Sequence, residues 1–271
     1  MVERPVLSSS QHDMLAQELF DADRNRSLIP LISQRFPMAN MEDAYAIQAA
    51  LVDRFVNAGR SIKGWKIGLT SKAMQNALAI DTPDSGVLFD DMFFDNDSVI
   101  PNDRFIATRI EAEIAFVMKD DLVGEATTRE QVIAATECVC PSLEILDTRI
   151  VPRDPSTGAI RTVIDTISDN AANAGLVLGD ERHPIDAFDL RWVGAIVSNN
   201  AEVEETGLGA GVLNDPVLGI VWLAQRLGRY GQKIRAGDVV LSGSFIRILQ
   251  APQGSNIDAD FGDFGRVGCS F

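Results

Sequence analysis

An α+β fold is what this sequence predicts: a helical N-terminal region over residues 1–60 leading into a β-rich body over residues 61–271. Three observations carry the expectation. Apolar residues recur at helical spacing up to Gly59, strand-like pieces bounded by turn signals dominate after it, and the later helices are too few to alternate with those strands. The chain has 271 residues, of which 46% are hydrophobic and 23% charged, enough to build a sizeable core.

Ser9 or Ser10 caps a first helix carrying Leu15, Leu19 and Phe20 at helical spacing. A second helix runs from about Glu42 to Asn57 on an apolar stripe of Tyr45, Ile47, Leu51, Phe55 and Val56, and Gly59 ends it. Strands are then expected at Ser61–Leu69, Gly86–Leu88, Arg109–Met118, Leu143–Thr148, Leu190–Ser198, Val239–Leu241, Ile246–Leu249 and Val267–Phe271. Turn signals such as Pro83-Asp84, Pro101-Asn102, Asn199-Asn200 and Pro252-Gln253-Gly254 separate them. Two helices interrupt this body. Thr128-x-x-Gln131 has the form of a capping box, and Asp215-Pro216 is an N-cap followed by a first-turn proline, with Gly228 closing the helix near Leu227. The polar segment Val151–Arg161 is expected to be a mobile surface loop.

The net charge is −15, from 24 basic and 39 acidic residues. Nucleic-acid binding needs clustered Lys and Arg, and anionic membranes repel such a surface, so both partner classes are excluded. A small molecule, a cation or other subunits remain. Met1 to Ser10 lacks the apolar run of a signal peptide, and the best apolar stretch, Pro216 to Ala224, is too short to span a bilayer. The three cysteines, Cys138, Cys140 and Cys269, give no disulfide framework and fit a reducing, cytoplasmic setting. Cys138 and Cys140 are too close for the usual zinc pair and are expected to be buried or half-buried thiols. Only two histidines occur, His12 on an expected surface helix and His183 in a polar stretch, so acid–base work falls to carboxylates and lysine.

Ile110-Glu111-Ala112-Glu113-Ile114 reads as an internal strand with Glu111 and Glu113 on one face. Two such carboxylates repel unless a cation or base sits between them; a solvated strand face is the plainer alternative. Glu144 lies in Leu143-Glu144-Ile145-Leu146, flanked by apolar neighbours, and also looks inward. Three inward carboxylates without histidine suit a hard ion such as Mg²⁺ or Mn²⁺. Ile62-x-Gly64-x-Lys66-x-Gly68-x-Thr70 puts Lys66 between two glycines, whose missing side chains leave room for a ligand; a solvent-facing lysine is the alternative. Gly207-x-Gly209-x-Gly211 lacks the spacing of a phosphate loop and reads as a turn. Asp90-Asp91 and Asp120-Asp121 read as solvated turns, and Ser242-Gly243-Ser244 as either a backbone clamp for an anion or a hairpin turn.

Five stretches together resemble one family: Gly64-Trp65-Lys66-Ile67-Gly68-Leu69-Thr70-Ser71, Pro83-Asp84-Ser85-Gly86, Ile110-Glu111-Ala112-Glu113, Pro141-Ser142-Leu143-Glu144-Ile145-Leu146-Asp147 and Asp165-Thr166-Ile167-Ser168-Asp169-Asn170-Ala171. The chain is similar over nearly its whole length to the hydratase/decarboxylase branch of the fumarylacetoacetate hydrolase superfamily. Within it, Ser168 to Gly175 and Glu204-Glu205-Thr206-Gly207 most resemble the subgroup of 2-oxohept-3-ene-1,7-dioate hydratases. The resemblance implies a mixed β-roll with a helical N-terminal region, a Mg²⁺ or Mn²⁺ ion, and a homo-oligomer of dimers built into larger rings, up to a decamer. It implies Glu111, Glu113 and Glu144 as metal ligands, Lys66 and Asp84 as the proton-handling pair, and Ser168, Gly243 and Ser244 as substrate contacts. Trp65 stands where near relatives often carry histidine; it faces away from Lys66, so packing rather than chemistry should feel the difference. The implied activity is hydration of a 2-hydroxy-2,4-dienoate in aromatic-compound catabolism. The alternatives are a 2-oxo-3-hexenedioate decarboxylase, which Asp84 as a water-activating group argues against, and a non-catalytic partner subunit, which has no need of an intact ligand set. Arg109, Arg149, Arg153 and Arg247 are each candidates to meet a second substrate carboxylate.

Overall fold

The computed structural model describes residues 4–72, 75, 80 and 82–271, with Asn102 described by its backbone alone. Met1 to Glu3, part of the N-terminal segment considered above, lie outside the described residues. The helices are α1 (Ser9–Asn25), α2 (Ile32–Arg35), α3 (Met41–Asn57), α4 (Arg129–Ala135), α5 (Val163–Ser168) and α6 (Pro216–Arg229). The strands that build the body are β1 (Ile62–Gly68), β2 (Asp84–Phe89), β3 (Phe93–Phe94), β4 (Ser98–Val99), β5 (Arg109–Met118), β6 (Leu122–Val123), β7 (Thr136–Leu146) and β8 (Asn173–Leu178). They continue with β9 (Gly194–Asn199), β10 (Glu202–Leu208), β11 (Lys233–Ile234), β12 (Val239–Leu241), β13 (Leu249–Gln250), β14 (Asn256–Asp260) and β15 (Arg266–Ser270).

Among the described residues the main sheet runs β2-β1-β12-β5-β7-β8-β3, with β13 also paired to β5. A second sheet runs β10-β9-β14-β15-β4, and β6 pairs β11 in a small ribbon. β1 and β12 are parallel, whereas β5 is antiparallel to both β12 and β7, so the sheet is mixed. Structures of the same mixed architecture are described below. Leu15 and Leu19 of α1 and Ile47, Leu51 and Phe55 of α3 join one hydrophobic cluster with the sheet residues Ile67, Leu88, Ile110 and Phe116. Each such fully buried side chain contributes ~1.5–3 kcal/mol.

Local signals place most helix ends. Ser8, one residue before the expected cap, forms a capping box with Gln11. Asn40 and Asp43 do the same for α3, and Thr128 with Gln131 for α4. Asp215 accepts the Val217 amide ahead of Pro216, and α6 continues through Gly228 to Arg229. β5 and β12 begin and end where alternation predicts.

Other strands differ. β7 begins at Thr136 instead of Leu143, because buried Val139 and Cys140 extend its apolar face backwards. β9 begins at Gly194 and β13 at Leu249, so Leu190–Val193 and Ile246–Ile248 are not strand. β8, β10 and β14 and the helix α5 were not anticipated. β8 is buried over all but its last residue, and β10 is a polar hairpin arm of β9 after Asn200 and Ala201, both at positive φ. Gly207 is therefore in a strand, not a turn; a Cβ there would lie 1.9 Å from the Phe245 carbonyl oxygen. Gly209–Gly211 is a single 3₁₀ turn.

His12 is not a surface residue. It is buried, with Nε2 2.8 Å from Asp43 Oδ1, and the same carboxylate accepts the Val6, Leu7 and Asn40 amides. Cys140 and Cys269 are buried and Cys138 half-buried; burial pushes both buried thiols up to about 12. No helix among the described residues is long and apolar enough to cross a membrane.

Candidate active site

Strand register assembles the site. Glu111 of β5 lies directly opposite Glu144 of β7, and Glu113, two residues along, lies opposite Ser142. Ala115, two further on, aligns with Leu241 of β12, which aligns with Lys66 of β1. Lys66 aligns with Gly86 of β2, and Gly68 with Asp84. Directly paired residues share a face, and so do residues two apart in a strand. The register alone therefore puts Asp84, Lys66, Glu111, Glu113 and Glu144 on one face, while Trp65, Ile67, Ile110, Ala112 and Ile114 face the other way into the core.

Carboxylate oxygens of Glu111, Glu113 and Glu144 all come within 4.8 Å of one another. Glu113 and Glu144 are fully buried, Lys66 and Asp84 nearly so, and Glu111 is half-buried. Glu113 Oε2 accepts the Gly243 amide at 2.7 Å, but Glu113 Oε1, both Glu144 oxygens and Asp84 Oδ1 lack a hydrogen-bond donor in acceptable geometry. Lys66 Nζ sits 3.3 Å from Glu144 Oε1 and donates to the Ala171 carbonyl at 3.2 Å.

The electrostatics follow from four carboxyls and one ammonium in a buried space. Burial pushes the Glu113, Glu144 and Asp84 carboxyls up, and for Glu113 the neighbouring Glu144 and Glu111 add to it; Glu144 is carried to about 8. Burial alone would lower the Lys66 ammonium, but Glu144, Asp84, Glu111 and Glu113 outweigh it and hold its pKa above the ordinary lysine value. Carboxylates converging from two strands, with orphaned oxygens on Glu113 and Glu144, fit a hard divalent cation: the donors are all oxygen, and the cation would cancel the surplus negative charge.

The glycines flanking Lys66 do not make room for a ligand, as the sequence suggested. A Cβ on Gly64 would lie 1.8 Å from the Val239 carbonyl oxygen, so Gly64 lets β12 approach. A Cβ on Gly68 would lie 2.2 Å from Asp84 Oδ1 and 3.2 Å from Lys66 Nζ, so its missing side chain is the space Asp84 fills.

Asn170, Ala171 and Ala172 form a run of three positive-φ residues, a costly conformation for non-glycine residues. It presents the Ala171 carbonyl to Lys66 and lets the Asn170 amide exchange two hydrogen bonds with Val87, extending the edge of β2. Asn170 escaped sequence reasoning as a separate site residue; two asparagines three apart in a stretch of small residues were the available signal. Ser168 is buried with an unpartnered hydroxyl, Gly243 meets the carboxylate cluster through its amide, and Ser244 closes a turn on Ile246. Beside the site, a cleft of about 660 Å³ is lined by Thr82, Pro83, Tyr45, Trp222, Arg226 and Tyr230, among others.

No family model matches the chain. It is 47% identical over 260 residues to a 2-oxo-hept-4-ene-1,7-dioate hydratase of Escherichia coli, covering 96% of this chain and 97% of that protein. It is 36% identical over 265 residues to a 2-keto-4-pentenoate hydratase of Paraburkholderia xenovorans, covering 98% and 96%. Among solved structures it is similar to 4-oxalocrotonate decarboxylase from Pseudomonas putida G7, complexed with magnesium and adipate: TM-score 0.92 at 30% identity over 99% of this chain and 100% of that one. Fumarylpyruvate hydrolase from Pseudomonas aeruginosa shares the fold at TM-score 0.58 and 14% identity, covering 77% of this chain and 88% of that chain.

Proposed function

The chain belongs to the hydratase/decarboxylase branch of the fumarylacetoacetate hydrolase superfamily, and from that premise we propose that it is a hydro-lyase acting on a 2-hydroxy-2,4-dienoate whose chain ends in a second carboxylate, with 2-oxohept-3-ene-1,7-dioate as the ketone form. Glu111, Glu113 and Glu144 would hold Mg²⁺ or Mn²⁺. When bound there, the cation supplies Lewis-acid stabilisation of negative charge on the 2-oxygen of the substrate.

The chain's own residues account for the rest. Lys66, kept protonated by the carboxylates around it, serves as a proton donor and fixed positive charge, not as a base. The net reaction moves the 2-hydroxyl proton onto carbon and adds water, leaving new hydrogens on C5 and C3 and the oxygen of water on C4, which gives a 4-hydroxy-2-oxo acid. Asp84 Oδ1, buried and unpartnered beside Lys66, is the atom that accepts the proton of the incoming water. That free carboxylate oxygen carries the choice of hydration over decarboxylation, since losing CO₂ needs no activated water. The 30%-identical decarboxylase keeps the second reading alive, with the same carboxylate cluster serving an enolate made by CO₂ loss.

Three free cysteines suit a reducing, cytoplasmic setting, and the exposed apolar side chains Trp192, Ile196, Val203 and Leu208 around the β9–β10 hairpin support a homo-oligomer as the working form. The test is purified protein with Mg²⁺ and freshly tautomerised 2-hydroxyhepta-2,4-dienedioate, following dienol absorbance together with CO₂. Absorbance loss without CO₂, abolished by a chelator, is expected. Stoichiometric CO₂ from the six-carbon diacid would establish the decarboxylase instead, and inertness toward both would favour a non-catalytic partner subunit.

A further inference from the structure

Beyond the carboxylate cluster, a buried pair of arginines stands out. Arg149 and Arg161 share the Asp169 carboxylate, and Arg149 also faces Asp23 at 4.0 Å. Arg149 takes Oδ1 at 2.6 Å and spends its remaining donors on the Asp169 and Asn173 carbonyls, so it is fully used. Arg161 reaches Oδ2 at 3.2 Å and otherwise meets only neutral hydroxyls, those of Thr166 and Thr148. The other nearby acid, Asp165, is occupied by Ser33 and Thr162. Arg109 stands close enough to repel Arg161, its Nε is buried without a partner, and it has no ion pair among the described residues. Burial together with Arg109 and Arg149 outweighs Asp169 and holds the Arg161 guanidinium below its ordinary value.

The position of this charge matters as much as its sign. Arg161 holds Asp169, two residues before Ala171, whose carbonyl accepts from Lys66, so it stands behind the turn that meets the Lys66 ammonium. Arg109 is two residues before Glu111 in β5 and shares its face, about 6.8 Å back along the strand. Ser168, buried with a free hydroxyl, closes the helix that leads into Asp169. Of the other arginines, Arg153 donates to the Gly158 carbonyl and Arg247 pairs with Glu205 at the surface, while Arg226 lies over the Tyr45 ring in the cleft beside the site.

We infer that Arg161, supported by Arg109, receives the distal carboxylate of a 2-oxo dicarboxylic acid and so makes the site selective for diacids over monoacids of the same length. The inference rests on the proposed reading of the carboxylate cluster as the seat of the 2-oxo acid head. A chain anchored at the cluster and extending past Lys66 toward the Asp169–Ala171 turn would bring its far carboxylate to Arg161, whose side chain is 13% exposed. The second carboxylate would complete the charge balance that Asp169 leaves unfinished.

Two measurements test this. On the unmodified protein with Mg²⁺, calorimetric binding of 2-oxoheptanedioate should be at least about tenfold tighter than that of 2-oxoheptanoate, the range of a charge-assisted hydrogen bond. Equal affinities overturn the inference, and this arm needs no turnover. In the Arg161→Gln and Arg161→Lys variants, the ratio of kcat/KM for 2-hydroxyhepta-2,4-dienedioate over that for 2-hydroxypenta-2,4-dienoate should fall at least about tenfold in Gln and less in Lys. An equal loss on both substrates, or none on either, overturns it. If the unmodified protein hydrates neither dienoate, the hydratase reading fails, while calorimetric binding of the two 2-oxo acids to Arg161→Gln beside the unmodified protein still decides the role of Arg161.

Discussion

At the residue scale, the glutamate cluster is a repulsive arrangement that a cation relieves. Glu144 without a cation is raised from 4.5 to about 8, so the folded protein binds more protons than the unfolded chain between those values. Its contribution to stability is therefore greatest below pH 4.5 and is lost as pH rises toward about 8. We expect chelator-treated protein to lose melting temperature across that window. Adding Mg²⁺ should restore it most at the alkaline end, where ligation no longer has to displace a proton. Glu144→Gln should flatten the metal-free profile, abolish the Mg²⁺-induced rise and eliminate turnover. A variant that keeps its Mg²⁺ shift in differential scanning calorimetry would remove Glu144 from the ligand set.

At the element scale, β1 matters for what it lacks as much as for Lys66. Alternation in the sequence put Gly64, Lys66 and Gly68 on one face, but could not say what would fill the gaps. The fillers come from residues 84 and 239, distant in sequence, and only strand pairing brings them in. Gly68→Ala places a methyl group on Asp84 Oδ1, a movable side-chain atom, so the fold should survive while Asp84 is pushed from Lys66. We expect kcat to fall about 10²-fold or more with the melting temperature changed by only a few degrees. Unchanged kcat would separate Asp84 from catalysis. Two of the strands missed by sequence reasoning, β8 and β10, share one cause. β8 is buried by neighbours on both faces and β10 is a polar hairpin arm, so neither shows the period-two alternation that marks a half-buried strand.

At the scale of the whole molecule, the N-terminal helices are fastened by a polar tie under an apolar contact. Asp43 accepts hydrogen bonds from three backbone amides and faces His12, linking the segment before α1, α1 itself and the start of α3. Burial opposes its charge, but the Asn40 amide, His12 and the Leu7 and Val6 amides together hold its carboxyl below the usual range. Asp43→Ala should cost about 3 kcal/mol, because it leaves buried donors without an acceptor. Denaturant unfolding would measure the loss, and kcat/KM on the dienoate should stay at the parent level, since Asp43 touches none of the site residues.

The sequence by itself determined the ligand chemistry: three carboxylates on alternating strand positions, a lysine on a glycine-spaced strand, no histidine to compete. It also determined the caps at Thr128 and Asp215, because a cap is decided within three or four residues of chain. What only the tertiary structure decided were the relations between segments. These are the register that sets Glu144 opposite Glu111, the use of Gly68 as a seat for Asp84, the burial of His12 against Asp43, and the sharing of Asp169 by two arginines. Each depends on which distant strand or loop packs alongside, and local periodicity reports the face a side chain takes but not the partner waiting on it.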